Sequence, residues 1–243
     1  MSGPLVLVGG MGCSPRLWAG VRDRLGPGPV LDGPLEEPTV DGCVDALLDA
    51  LPPRFALAGL SLGGIVAMAL VRRAPERVTR LALLSTNARP PLPEQRAAWT
   101  AQRAALAGGA TPRDLQTALL PLLLHDPEFS GPALAMADDL GARVLDHQLA
   151  AQATRVDERP GLARVRVPTL VLAAREDRLC PLDRHEEIAA LVSGAHLEVL
   201  GGVGHLSPLE APDRVAAALR RWMEGRWWGV RPAAPGTPAS SRG

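Results

Sequence analysis

The sequence predicts an α/β fold: a mostly parallel sheet flanked by helices, with a helical insertion before its last strands. Three observations carry that expectation. Short apolar runs alternate with longer amphipathic segments, the signature of strand and helix units wrapped about a parallel sheet. Most of these runs lack polar alternation, as strands covered on both faces do. The alternation stops over residues 88–160, which contain no strand-like run, and resumes at residue 168.

Taken in order, the first strand is expected at residues 4–10 (PLVLVGG), then a helix over 15–25, a strand at 29–33 (PVLDG) and a helix over 40–51. The third strand, 55–60 (FALAGL), runs with almost no loop into a helix over 62–73, and a fourth strand follows at 80–85 (RLALLS). Inside the insertion, helices are expected over 94–107, 112–124 and 132–154. There "TPRD" supplies an N-cap threonine, a proline at the first helical position and an acid in the first turn. Strands at 168–174 (PTLVLAA) and 196–202 (HLEVLGG) flank a helix over 183–192. The last helix, 212–224, has Val215, Leu219, Trp222 and Met223 on one face and Pro212 at its start, so it is expected to pack on the sheet. The core is therefore assigned to residues 1–87 and 161–225, a helical cap to 88–160, and a disordered tail rich in proline, glycine, alanine and serine to 226–243. Trp227 and Trp228 fit either an extension of the last helix's packing or an exposed position.

Composition narrows the function classes. With 243 residues and 47% hydrophobic content, the chain buries a substantial core as one domain with an inserted subdomain. Its 26 basic residues, all arginine, balance 26 acidic ones, so no long-range field favours nucleic acid or an anionic membrane surface. Cys13, Cys43 and Cys180 are odd in number and widely spaced, against a disulfide framework and a zinc site and in keeping with a reducing compartment. No basic leader precedes the first strand, and proline, glycine or arginine interrupts every apolar run short of the ~20 residues that span a membrane. The expectation is a soluble cytoplasmic protein whose partner is a small molecule.

The chemistry centres on "GLSLG", residues 59–63. A tight turn with a decorative serine is the ordinary reading of such a pentapeptide. Here it joins a buried strand to a buried helix, which forces strained backbone angles on Ser61 and presents its side chain at the carboxyl edge of the sheet. A larger side chain at 59 or 63 would collide as strand and helix approach, and Gly64 eases the same passage. A serine hydroxyl needs a base, and the base needs an anion to hold its tautomer. His205 in "GVGHLSPLEAP" follows the final strand in a glycine-rich loop; His125, His147, His185 and His196 lie at less suitable places and read as solvated or locally bonded. For the anion, Asp177 in "REDRLCP" sits just past a buried strand at the same edge, with Glu176 its local competitor.

The motifs "GLSLG", "REDRLCP" and "GVGHLSPLEAP", in that order at those junctions, resemble the α/β-hydrolase fold family over most of residues 5–224. The resemblance implies a catalytic triad of Ser61, Asp177 and His205, and the absence of the family's first two strands, since few residues precede "LVLVGG". It also implies an oxyanion hole made by the backbone amides of Leu62 and Met11. The family's loop commonly reads His-Gly-x; this chain has Gly9 where that histidine stands, which leaves open how the loop is anchored. Cys13 and Cys180 read as small buried hydrophobes. The expected activity is hydrolysis of an ester-type bond of a small or medium apolar acyl substrate through an acyl-enzyme, with no metal or organic cofactor. Trp99, Leu119, Leu120, Leu122, Leu123, Leu124 and Met136 of the insertion either roof the acyl pocket or, for most of them, pack the cap on the core. A lactonase, thioesterase, carbon-carbon bond hydrolase or perhydrolase uses the same three residues. A ligand-binding receptor with slow or no turnover is the alternative from another class.

Overall fold

The computed structural model describes residues 3–226. The tail expected from residue 226 onward, with Trp227 and Trp228, lies outside the described residues apart from Arg226.

Six strands form one sheet: β1 (Leu5–Val8), β2 (Val30–Asp32), β3 (Phe55–Leu60), β4 (Val78–Leu84), β5 (Thr169–Ala174) and β6 (His196–Leu200). Their order is β2-β1-β3-β4-β5-β6, and every neighbouring pair is parallel. Parallel pairing needs crossovers, and the helices supply them. They are α1 (Ala19–Leu25), α2 (Val40–Ala50), α3 (Leu62–Arg73), α4 (Pro93–Ala107), α5 (Pro112–Leu123), α6 (Ser130–Thr154), α7 (Arg159–Leu162), α8 (Leu182–Leu191), α9 (Ser207–Glu210) and α10 (Pro212–Met223).

The period of two along each strand divides the core between the two faces. Val6, Val8 and Leu57 join residues of α2, α3 and α8 on one face, while Leu5, Leu7, Ala56 and Ala58 join Trp18, Val215, Leu219 and Trp222 on the other. Strands β1, β3 and β5 are buried throughout, so their sequences carry no polar alternation. The outer strands β2 and β6 are half-exposed, because each has a neighbour on one side only.

Several elements differ from the sequence expectation. The helix expected over 15–25 begins as a 3-10 turn, Pro15–Trp18, in which the Arg16 amide donates to Ser14 Oγ and the Leu17 amide to the Ser14 carbonyl. The long helix expected over 132–154 starts earlier, at Ser130, and is broken at Gly141, which adopts φ 74° and ψ 163°. Glycine takes that left-handed angle without a Cβ penalty. The short helices α7 and α9 were not anticipated; each opens with a proline in its first turn. Among the described residues, no helix is long and apolar enough to cross a membrane.

Helices α4, α5 and α6 lie between β4 and β5, in the stretch expected as an insertion. Trp99 on α4 packs with Leu145 and Leu149 of α6, and bidentate pairs Arg103–Asp146 and Arg113–Asp138 tie α4 and α5 to α6 at the surface.

Strand β3 and helix α3 approach each other closely in the core, and α3 approaches the end of β1. A Cβ at Gly59 would fall 2.3 Å from the Gly63 carbonyl oxygen, and one at Gly63 would fall 2.5 Å from the Val8 oxygen. Both obstacles are backbone, so neither yields easily. Gly59→Ala is expected to cost about 2 kcal/mol or more, in line with overpacked cores. Gly131→Ala, at an exposed position on α6 with nothing within 4 Å, is expected to be neutral or stabilising by up to about 1 kcal/mol. Urea unfolding of the two variants checks the contrast.

Candidate active site

Ser61 occupies the turn between β3 and α3 with φ 55° and ψ −116°, a conformation that L-residues rarely hold. Strain of this kind costs about 1–3 kcal/mol and persists where surrounding contacts over-determine it. Here the Ser61 amide donates to the Leu84 carbonyl at 3.0 Å, and the Ser61 carbonyl accepts from the Ile65 amide at 3.1 Å. It accepts also from Thr86 Oγ1 at 2.8 Å. Leu62 is the first residue of α3, so its amide has no intrahelical acceptor.

Asp177 lies in the turn after β5, and both its oxygens are engaged. Oδ1 accepts the amides of Leu179 at 2.9 Å and Cys180 at 2.8 Å, while Oδ2 meets His205 Nδ1 at 2.8 Å. Both side chains are buried. Burial pushes the Asp177 carboxyl up, but the charge and hydrogen bond of His205 and the two amides outweigh it, leaving the group below the usual carboxylate range. Glu176 instead accepts the Val203 amide at 3.0 Å and does not reach the imidazole. The loop carrying His205 is tied at both flanks. Gly204 N donates to Glu210 Oε1 at 3.0 Å, and Leu206 N donates to Leu123 O of α5 at 3.2 Å. With Nδ1 held by the carboxylate, Nε2 is the ring nitrogen left to act on a ligand.

The loop after β1 brings Met11 beside Ser61 and His205 on one cavity wall. Its anchor is a residue that sequence reading missed. The Gly12 amide donates to Gln148 Oε1 at 2.9 Å, and Gln148 Nε2 donates to the Leu35 carbonyl at 3.1 Å. Gln148 stands on α6 and is 3% exposed. A signal existed: Gln148 and Gln152 share helical spacing with the buried Val144, Leu145, Leu149 and Ala151, so they are polar residues at core-facing positions. Glu210 was missed likewise. Its Oε2 accepts the amides of His125 at 2.9 Å and Asp126 at 3.0 Å, joining the histidine loop to the insertion.

Ser61, His205 and Met11 line a cavity of about 210 Å³, roofed by Trp99, Leu119 and Leu123. Leu120, Leu124 and Met136 do not line it and belong to the core cluster that includes Trp18 and Trp222, and Leu122 is exposed. A larger cavity, of about 420 Å³, borders the same loop at Gly9, Gly10 and Cys13, but neither Ser61 nor His205 lines it.

The remaining histidines do not line the 210 Å³ cavity. His185 is buried: its Nε2 accepts the Thr86 amide at 3.1 Å, and its Nδ1 faces the Pro181 carbonyl at 3.3 Å. Those partners set the tautomer, with the proton on Nδ1.

Ligand atoms of Asp177, Cys180 and His205 lie within 4.8 Å of one another. The donor set does not suit a metal, because the Asp177 oxygens are already occupied and burial pushes the Cys180 thiol up to about 12. Cys13 is pushed up to about 12 by burial as well, which makes it an inert thiol.

A family model described as the alpha/beta hydrolase family matches residues 5–218. The chain is 28% identical to a pimeloyl-[acyl-carrier protein] methyl ester esterase of Aromatoleum aromaticum, over 91% of this chain and 98% of that protein. Among solved structures it is similar to a thermophilic esterase of Thermogutta terrifontis, with TM-score 0.83 and 25% identity, covering 93% of this chain and 91% of that one. It is similar too to an enol-lactonase of Burkholderia xenovorans, with TM-score 0.77 and 26% identity, covering 92% of each chain.

Burial holds the His185 pKa below that of a free imidazole. Below an unfolded value of ~6.5 the unfolded chain takes up a proton that the folded chain refuses, so this residue's contribution is full above ~6.5 and is lost as pH falls toward the folded value. His185→Gln keeps an acceptor for Thr86 without titrating. Denaturant unfolding at pH 7.5 and 5.5 is expected to show a smaller acid loss in the variant, the difference being at most about 1.4 kcal/mol per pH unit.

Proposed function

The chain belongs to the α/β-hydrolase family, and from that premise we propose that it is a serine hydrolase cleaving a carboxylic ester through a covalent acyl-enzyme. The observation that carries the reading is the buried His205–Asp177 pair at 2.8 Å, whose imidazole shares a cavity wall with the strained Ser61. That the relatives named above are esterases and a lactonase supports the bond type.

In this mechanism His205 Nε2 takes the Ser61 Oγ proton as Oγ bonds to the ester carbonyl carbon. The amides of Leu62 and Met11 receive the oxyanion. Collapse of the intermediate breaks the ester C–O bond, and His205 returns its proton to the departing alcohol oxygen. Water then loses a proton to His205 and attacks the acyl carbon. The acid leaves, and the proton returns to Ser61 Oγ. Asp177 stays ionised throughout and balances the imidazolium that forms twice in the cycle. A cavity of about 210 Å³ falls below the ~300–1,000 Å³ of sites for drug-sized ligands, so a short acyl group fits best.

Labelling by a fluorophosphonate probe, lost in folded Ser61→Ala, together with turnover of short p-nitrophenyl esters, tests the assignment. A folded wild-type protein that neither labels nor turns over contradicts it. Asp177→Asn is expected to lower kcat by about 10³–10⁴-fold, because an amide favours the wrong imidazole tautomer. Gln148→Ala frees the Gly12 amide and loosens the loop bearing Met11. It is expected to lower kcat by about 10-fold or more with a smaller change in KM, as an interaction formed in the transition state is lost. Steady-state kinetics on p-nitrophenyl acetate reads both variants.

A further inference from the structure

Arg155 follows α6 and lines the same cavity as Ser61, yet it is 6% exposed. Its donors reach only neutral acceptors: Nη1 donates to Gln152 Oε1 at 3.2 Å and Nη2 to Gln95 Oε1 at 2.8 Å. The guanidinium stands 5.2 Å from the centre of the Trp99 ring, and Nε has no partner. No carboxylate pairs with Arg155 among the described residues; the titratable groups that act on it are the Cys180 thiol and, more weakly, Arg96, another cation. Arginine does not shed its proton in proteins, so the charge remains.

Burying an arginine without a counter-charge is costly, and such residues are normally paired. Two further residues that line the cavity carry an orphaned buried polar atom, Gln116 Nε2 and Gln102 Oε1. A half-turn of the Gln102 amide would offer its Nε2 instead. Three unsatisfied buried groups thus belong to residues that line one small space, which the proposed nucleophile lines as well.

On the basis of the serine-hydrolase reading, we propose that this wall binds a carboxylate carried by the substrate's acyl chain, the substrate class being half-esters of short dicarboxylic acids. One guanidinium balances one negative charge, whereas a phosphate dianion would leave charge uncompensated in a small buried space. Planar donors of arginine match a carboxylate in geometry as well. Trp99, Leu119 and Leu123 then cover the methylenes between the two ends of the acyl chain. The purely apolar substrate expected from the cap's leucines becomes apolar in the middle and anionic at the far end.

Monomethyl glutarate and dimethyl glutarate are matched probes, differing at the far end by a carboxylate against a neutral ester. Titration calorimetry on Ser61→Ala protein, which reads binding without turnover, is expected to give the monoester an affinity at least about tenfold higher, equivalent to ~1.4 kcal/mol. On active enzyme the monoester is expected to lead in kcat/KM by a similar factor, and Arg155→Gln to bring that ratio to within about threefold of one. Equal affinity of the two probes for Ser61→Ala overturns the proposal, and so does an undiminished ratio in a folded Arg155→Gln enzyme. If Arg155→Gln does not fold, the calorimetric comparison decides alone. The two readings fail differently. Hydrolysis of both esters with no preference removes the carboxylate site and leaves the serine hydrolase, whereas preferential binding without hydrolysis or probe labelling does the reverse.

Discussion

Everything at the site depends on how closely β3 passes α3. The backbones approach to a distance at which even a methyl group at Gly59 or Gly63 would strike a carbonyl. That approach leaves no room for a loop, so one residue reverses the chain, and Ser61 adopts φ 55° to do it. The same contact seats the first turn of α3 against the end of β1, where a Cβ at Gly63 would meet the oxygens of Val8 at 2.5 Å and Gly9 at 2.6 Å. The hydroxyl of Ser61, the unpaired amide of Leu62 and the loop bearing Met11 are therefore neighbours for one steric reason. The strain on a single residue, about 1–3 kcal/mol, is offset by the hydrogen bonds to Leu84, Ile65 and Thr86 that hold it.

The insertion contributes more than a cover. Gln148 of α6 holds the loop after β1, Leu123 of α5 accepts the Leu206 amide, and Glu210 joins the histidine loop to residues 125 and 126. Each tether satisfies a backbone group in a loop at the carboxyl edge of the sheet, where the strand ladder has ended and offers no partner. The tethers that hold the loops of Met11 and His205 and the side chains that roof the cavity are accordingly drawn from the same helices. Gly9 offers no side chain to anchor the loop after β1, and the polar contact to that loop comes from Gln148 of α6.

Much of this was legible in the sequence because it is local. Buried parallel strands read as unbroken apolar runs, and the β3–α3 junction shows its geometry through glycine spacing. The turns that carry Asp177 and His205 follow strands recognisable on their own. What was not legible depends on distance along the chain. Gln148 meets Gly12 across 136 positions, and no spacing rule connects them. The meeting of Arg155 with Gln95 across 60 positions, with no carboxylate paired to it among the described residues, appears only once α4 and α6 are packed. The break at Gly141 was missed because a lone glycine is tolerated inside helices.

The central claim is that Ser61, activated by His205 and Asp177, becomes acylated. Rapid-quench reaction with p-nitrophenyl acetate followed by peptide mass mapping tests it directly. The account predicts a burst of p-nitrophenolate equal to the enzyme present and an acetyl group on the peptide containing Ser61. Hydrolysis that proceeds with no acyl group on Ser61, or with one on another residue, contradicts it.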